Sequence, residues 1–193
     1  MMPRGRKEPA GAGAGIPAHE RLAASIWVRF YASFASPGKI LEQFRSDAER
    51  ALTLARRLSE EAGTRPVCIR RFPGIEAESR DWSVYMTLDH LVMINTAITA
   101  LIHAICSARG HGVEIRVEDV KPHPDAGPDR IPALEALVER YAHQIDCLGL
   151  LQSCARYPHP WFGPLTARQW HALAALHNRI HRLQIEKIID RLD

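Results

Sequence analysis

Apolar residues recur every three or four positions along most of the chain, which is the spacing of a helix face. The clearest run lies between residues 39 and 62 and consists of Leu41, Phe44, Ala48, Ala51, Ala55, Leu58 and Ala62. An earlier amphipathic stretch, residues 18 to 35, places four aromatic side chains on one stripe: Trp27, Phe30, Tyr31 and Phe34. Pro37-Gly38 separates the two stretches, so two successive helices are predicted here.

The same periodicity predicts three further helices. Residues 81 to 109, from Asp81 to near Gly110, are apolar almost all round, so more than one face is expected to be covered. Residues 130 to 152 have Pro132 in the first turn, where proline is tolerated. The last helix, residues 166 to 191, opens with T-A-R-Q, in which Thr166 and Gln169 can form a capping box.

Long connections join these helices. Residues 63 to 80, 110 to 129 and 153 to 165 exceed the two to eight residues that are usual between antiparallel bundle neighbours. The middle one contains V-E-I-R-V, which alternates like a short extended strand and can run the length of a bundle. We therefore predict an all-α fold, a four-helix bundle in up-down-down-up order, with an extra N-terminal helix.

Domain organisation follows from the composition of the N-terminus. Residues 1 to 17 are rich in glycine and alanine and are expected to form a flexible tail. Residues 18 to 193 are expected to form a single helical bundle domain, since a chain of 193 residues usually builds one core.

Charge and polarity argue against two classes of partner. The formal net charge is +3, and four residues near the N-terminus, Arg4, Arg6, Lys7 and Glu8, supply a net +2 of it. The remaining body is nearly neutral, so no nucleic-acid partner is expected. The apolar stretch 82 to 106 contains Asp89, His90, Asn95 and His103, which makes it too polar for a membrane span.

Cysteine usage indicates the compartment. None of the four cysteines forms a C-x-x-C pair, and the N-terminus lacks the leucine-rich core of a signal peptide. A cytoplasmic protein with free thiols is therefore predicted.

Two histidines near the C-terminus, His177 and His181, stand four residues apart on the last predicted helix. Such a step turns a helix by only about 40°, so both imidazoles leave the same face. His90 lies about nine residues from the start of its helix, and His181 a similar distance from the end of the last one. If these helices are antiparallel, the three histidines lie at one depth. His103 is about 220° around the helix from His90 and faces elsewhere.

The other histidines are predicted to have no metal-binding role. His123 and His159 stand between prolines and are expected in loops. Four more are expected at the surface: His19, His111, His143 and His171.

Three neutral imidazoles suit zinc, nickel or another late first-row divalent ion. Three protein ligands leave a coordination position open, as in catalytic zinc sites. The absence of Glu after His177 argues against a zinc protease of the H-E-x-x-H type. Gln184, three residues beyond His181, is the candidate for a second-layer contact to the site.

Two segments resemble the DinB/YfiT-like superfamily. D-W-S-V-Y-M-T-L-D-H-L, residues 81 to 91, is similar to its W-S-x-x-x-x-x-x-H-L stretch. H-P-W-F-G-P-L-T-A-R-Q-W, residues 159 to 170, followed by H-N-R-I-H-R-L-Q, is similar to the last helix of DinB-like subfamilies of uncharacterised function. The resemblance implies an up-down-down-up bundle, one divalent metal on His90, His177 and His181, and frequent dimers. The metal it implies is nickel, zinc, iron or manganese, depending on the member.

The resemblance also suggests an activity. Relatives include transferases that use a small thiol such as bacillithiol, mycothiol or glutathione, and an open metal site suits that chemistry on a small-molecule substrate. A metal-dependent hydrolase and a non-catalytic bundle stapled by metal are the alternatives. We also expect a homodimer, because the helix 81 to 109 is apolar on more faces than one core needs; the aromatic stripe is another cover for that face.

Overall fold

The computed structural model describes residues 15–107 and 120–192. Over these residues the chain forms six α-helices and one antiparallel hairpin. The helices are α1 (Ala18–Phe34), α2 (Pro37–Ala55), α3 (Glu60–Thr64), α4 (Val84–Cys106), α5 (Arg130–Leu148) and α6 (Ala167–Ile189); the strands are β1 (Tyr157–His159) and β2 (Gly163–Leu165). The predicted all-α class is confirmed. The predicted strand at residues 113–117 and the tail up to residue 14 lie outside the described residues.

Capping side chains decide where several helices begin. The single helix predicted for residues 39 to 62 is wrong: α2 ends at Ala55, and Ser59 accepts a hydrogen bond from the Ala62 N–H to start α3. The helix predicted to begin at Asp81 begins instead after Ser83, whose side chain accepts from the Met86 N–H. Residues Glu78–Asp81 form a short 3₁₀ turn.

The last two helices are close to their prediction. α5 ends at Leu148 because Gly149 adopts a positive φ of 62°, so the predicted end at residue 152 is four residues too late. The capping box of α6 is confirmed: the Thr166 side chain accepts from the Gln169 N–H, and the Gln169 side chain accepts from the Thr166 N–H.

Side-chain contacts between helices show how α2, α4, α5 and α6 run in the bundle. Residues at the start and middle of α2 bond to the start and middle of α6, through the pairs His171–Pro37 and Arg182–Asp47. α5 runs alongside α4 in the same direction, since Arg130 bonds Asp89 and Gln144 bonds the Thr99 carbonyl.

α4 and α6 run in opposite directions. His90 contacts His177 and His181, and five residues further along α4 Asn95 donates to Asn178. α4 is long and apolar enough to pass as a membrane span by length and composition alone. Its packing against α5 and α6 in the bundle accounts for that character.

α1 lies outside the bundle and packs mainly on α6. Its four aromatics do not form one stripe, so that prediction is wrong. Trp27 and Tyr31 pack together at 4.7 Å against the core, whereas Phe30 and Phe34 pair at 4.5 Å on the exposed side. A helix with apolar residues at both three- and four-residue spacing can bury only part of them when it lies on the outside of a bundle.

The connection between α3 and α4 is fixed near its middle, at Arg71 and Gly74. Arg71 forms two hydrogen bonds to the Glu20 carboxylate of α1, at 2.9 and 2.7 Å, and the Gly74 N–H adds a third at 3.0 Å. Gly74 has a φ of 98°, and a Cβ there would lie 2.8 Å from Cδ1 of Ile180 on α6. This connection therefore crosses α6 close to its histidines.

Candidate metal centre

The three predicted histidines meet at one point. Nε2 of His177 lies 3.1 Å from Nε2 of His90 and 3.1 Å from Nε2 of His181. One ligand atom from each of the three lies within 4.8 Å of the others. Tetrahedral zinc with bonds of about 2.0–2.1 Å would hold two imidazole nitrogens about 3.3 Å apart. The nitrogens of the His177–His90 and His177–His181 pairs are therefore already placed close to the spacing that a metal needs.

The positions follow from the two antiparallel helices. His90 projects from the first half of α4, and His177 and His181 project from successive turns of α6. His181 and His90 are buried, with exposed fractions of 5% and 9%. His103, on the other side of α4, is exposed, as its rotation from His90 predicts.

A chain of hydrogen bonds sets the tautomer of His181. The Ser79 carbonyl can only accept, and it accepts from Nε2 of Gln184 at 2.7 Å. The Gln184 amide oxygen therefore faces His181, whose Nδ1 lies 2.7 Å away. Because that oxygen accepts, Nδ1 carries the proton and Nε2 presents its lone pair to the histidine cluster.

His90 is oriented by the same logic with a different partner. Its Nδ1 lies 2.6 Å from the carbonyl oxygen of Val120, in the connection that precedes α5. A carbonyl accepts, so the proton is again on Nδ1 and the lone pair is on Nε2. Two of the three nitrogens that meet are thus unprotonated.

His177 differs from the other two. Its Nδ1 is buried and has no hydrogen-bond partner within the described residues. Its Nε2 faces two lone pairs at once, and one N–H can satisfy only one of them. A cation at the meeting point would satisfy all three nitrogens together.

Burial keeps the cluster neutral. It lowers the pKa of His90 to about 4 and holds the pKa of His177 and His181 well below the ordinary value. The neighbouring imidazoles lower the pKa of His177 and His181 further. Neutral imidazole is the form that binds late divalent metals.

Trp82 covers one side of the cluster. Its ring stacks on His181, with centroids 6.0 Å apart and an interplanar angle of 14°, and lies 5.0 Å from the His90 ring. Trp82 directly precedes the Ser83 cap of α4, so the start of that helix places the indole. The indole limits access of water to the histidines from that direction.

Asp89 anchors the connection that supplies Val120. Its buried carboxylate accepts from the backbone N–H and Nδ1 of His123, at 2.9 and 2.8 Å, and from Arg130 at 3.1 Å. Burial alone would raise the pKa of Asp89, but the hydrogen bonds from His123 and the bond from Arg130 hold it below its ordinary value. His123 thus lies in a loop, as predicted, and its backbone and ring are bound to Asp89 of α4, next to His90.

Two other histidines differ from their sequence prediction. His171, predicted at the surface, is fully buried: Nδ1 lies 2.7 Å from the Tyr141 hydroxyl and Nε2 3.0 Å from the Pro37 carbonyl. The apolar run around it, W-H-A-L-A-A, indicates a segment covered on several sides. His159 ends strand β1 of the hairpin, where Nδ1 accepts from the Trp161 N–H and the ring stacks on Phe162.

The sequence predicts that the three histidines lie together and that Gln184 is next to them, but it does not predict the other residues that contact the cluster. Ser79, Trp82 and Val120 all lie in connections between helices, where periodicity carries no information on contacts. Trp82 alone had a signal, since it stands in the W-S segment before His90.

Comparison with known proteins identifies the architecture. No protein-family model and no curated protein matches the chain. Among solved structures it is similar to TT2238, described as a four-helix bundle protein, with a TM-score of 0.53 and 16% identity over 78% of this chain and 98% of that one. At this identity the likeness shows the fold, and the chain is accordingly a four-helix bundle protein with three histidines that can hold a metal ion.

Proposed function

We propose that His90, His177 and His181 bind one divalent metal ion, with zinc or nickel preferred over iron or manganese. The observation that carries this proposal is the fixed direction of two lone pairs. Val120 and Gln184 hold the Nδ1 protons of His90 and His181, so both Nε2 atoms face a shared point with His177. Hydrogen-bonded outer nitrogens of this kind are typical of metal-ligating histidines.

We further propose membership of the DinB/YfiT-like superfamily. The W-S-x-x-x-x-x-x-H-L segment ends in His90, and H-x-x-x-H corresponds to His177 and His181. The four-helix bundle architecture is compatible with this assignment. Trp82 of the first segment covers the histidines, and the H-P-W-F-G segment forms the turn between β1 and β2.

The proposed activity is a metal-dependent transfer that uses a small thiol and a small-molecule substrate. A bound divalent cation lowers the pKa of a coordinated thiol or water, which supplies a nucleophile near neutral pH without a protein base. A mechanism without a protein base fits a cluster that contains three histidines and no carboxylate within the described residues. The histidines act as ligands, Gln184 and Val120 orient them, and Trp82 limits water. Four free cysteines are in keeping with a cytoplasmic location.

A metal staple without catalysis is the second candidate. The cluster joins α4 to α6, and Ser79 and Val120 tie two connections to it. A metal there would hold four segments of the chain together, which favours a stabilising role. A metal-dependent hydrolase is the third candidate, because a metal with three protein ligands keeps a coordination position at which water can bind.

Cobalt substitution tests the transferase assignment. Cobalt-loaded protein is titrated with glutathione, bacillithiol and mycothiol while the visible spectrum is recorded. A thiolate-to-cobalt charge-transfer band with one of them, absent in His181→Ala and retained in His103→Ala, supports the transferase. Fully loaded protein that gives no band with any thiol rejects it. An ester and amide substrate screen then separates the hydrolase from the staple.

A further inference from the structure

One face of α1 exposes a continuous row of large apolar side chains. Leu22, Ile26, Phe30 and Phe34 follow each other at intervals of four residues and have exposed fractions of 63%, 61%, 63% and 74%. We call these four residues the α1 stripe. α4, in contrast, contributes no large apolar side chain to the exposed set within the described residues. The surface that needs a partner is therefore on α1 and not on α4, where the sequence placed it.

The stripe also lacks charge. Between Leu22 and Phe34 the chain contains one charged residue, Arg29, and its guanidinium donates to the Phe162 carbonyl at 2.9 Å. Glu20, at the start of the helix, is held by Arg71. Glu20 and Arg29 are thus bound to the body of the protein, while the four apolar side chains of the stripe face solvent. Large exposed apolar surfaces of this kind mark interaction sites in soluble proteins.

We propose that the α1 stripe is the interface of a homodimer, in which α1 packs against α1 of a second copy. Four large side chains exposed to this extent present roughly 100–150 Å² each, or about 500 Å² per chain. Two copies would bury about 1,000 Å² from the stripe alone, and flanking residues bring the total to the lower range of specific interfaces.

The spacing of the stripe suits self-association. Side chains at i, i+4 and i+8 form the ridges that pack into grooves in the most frequent class of helix pairs, which cross at about −50°. Small residues, Ala23 and Ser33, flank the ridge and leave room beside it. A two-fold axis near the middle of the helix would bring Ile26 of one copy against Phe30 of the other.

Other occupants suit the stripe less well. Residues 1–14 contain only two large apolar residues, Met1 and Met2, which is too few to cover four exposed side chains. Helices that lie on membranes carry many lysines and arginines on their polar face, whereas α1 has two arginines, Arg21 and Arg29, and Arg29 donates to the Phe162 carbonyl. A second copy is the occupant whose chemistry matches the stripe over its whole length.

Light scattering with two arginine variants tests the proposal. We expect wild-type protein at tens of micromolar to have the mass of a dimer. Ile26→Arg, in the middle of the stripe, should be monomeric or weaken the dimer at least about tenfold, because it buries an unpaired charge. Leu150→Arg is the matched control: Leu150 is 65% exposed but lies outside the stripe, so this variant should remain dimeric.

Three results would overturn the proposal: a wild-type monomer, an Ile26→Arg variant that dimerises as tightly as wild type, or a monomer that binds anionic vesicles through Ile26. Circular dichroism checks that the variants are folded. Metal content measured on Ile26→Arg should equal that of wild type, so failure of the dimer and failure of the metal site are separate outcomes.

Discussion

Gln184 and His181 are joined by a hydrogen bond of 2.7 Å between the amide oxygen and Nδ1. They stand three residues apart on α6, one turn of the helix, and both are buried. The amide cannot turn over, since its nitrogen donates to Ser79. A buried amide is thus used to fix which nitrogen of an imidazole carries the proton, and this supports the assignment of His181 as a ligand.

Replacing Gln184 with leucine is expected to weaken metal binding about 10- to 100-fold, because His181 loses the acceptor that orients it. Titration of zinc into chelator-treated protein measures the affinity. Gln144→Leu is the control, since the Gln144 amide also donates a hydrogen bond to a backbone carbonyl, that of Thr99 in a partly buried position, but does not touch the cluster. Equal zinc affinities in the two variants would contradict the proposal that Gln184 orients His181 for metal binding.

Asp89→Asn is expected to act on the metal site indirectly. The substitution removes the charge that holds His123 and Arg130, which loosens the connection carrying the Val120 carbonyl. We expect the free energy of unfolding to fall by about 1–3 kcal/mol and the zinc affinity to fall with it. Tyr141→Phe loses a buried hydrogen bond away from the cluster and should lower stability alone. Unchanged zinc affinity in Asp89→Asn would contradict the role given to Val120.

The sequence predicts most of the helices and the cluster of three histidines because both depend on periodicity. His177 and His181 share a face by spacing alone, and opposite directions of α4 and α6 bring His90 to the same depth. Contacts from connections could not be predicted, since nothing in the local pattern places Val120 or Trp82 over a helix. The end of α2 could not be predicted either, because its apolar pattern continues past Ala55 although Ser59 starts a new helix.

His171 shows why the burial of a side chain could not be predicted from its rotation around one helix. Rotation places it away from His177 on α6, which suggested the surface, but α2 and α5 cover that side and supply Pro37 and Tyr141 as partners. A helix in a bundle has more than one buried side, so a residue that leaves one core face can enter another.

The pH dependence of stability is expected to report on His171. Burial lowers its pKa to about 4 from 6.5. As pH falls from 6.5 toward 4, the unfolded chain takes up a proton that folded His171 refuses, so stability falls across that window. In metal-free protein, His171→Leu combined with Tyr141→Phe should flatten this slope by about 1.4 kcal/mol per pH unit. Tyr141→Phe alone keeps His171 and should keep the slope; an unchanged slope in the double variant would contradict the assignment.

Elemental analysis of purified protein and its single alanine variants tests the three-histidine metal site most directly. We predict one late divalent ion per chain in wild type, full retention in His103→Ala, whose side chain is exposed on the far side of α4, and loss in His90→Ala, His177→Ala and His181→Ala. Wild-type protein without metal after growth in zinc- and nickel-supplemented medium, or full metal content in His90→Ala and His177→Ala, would contradict it.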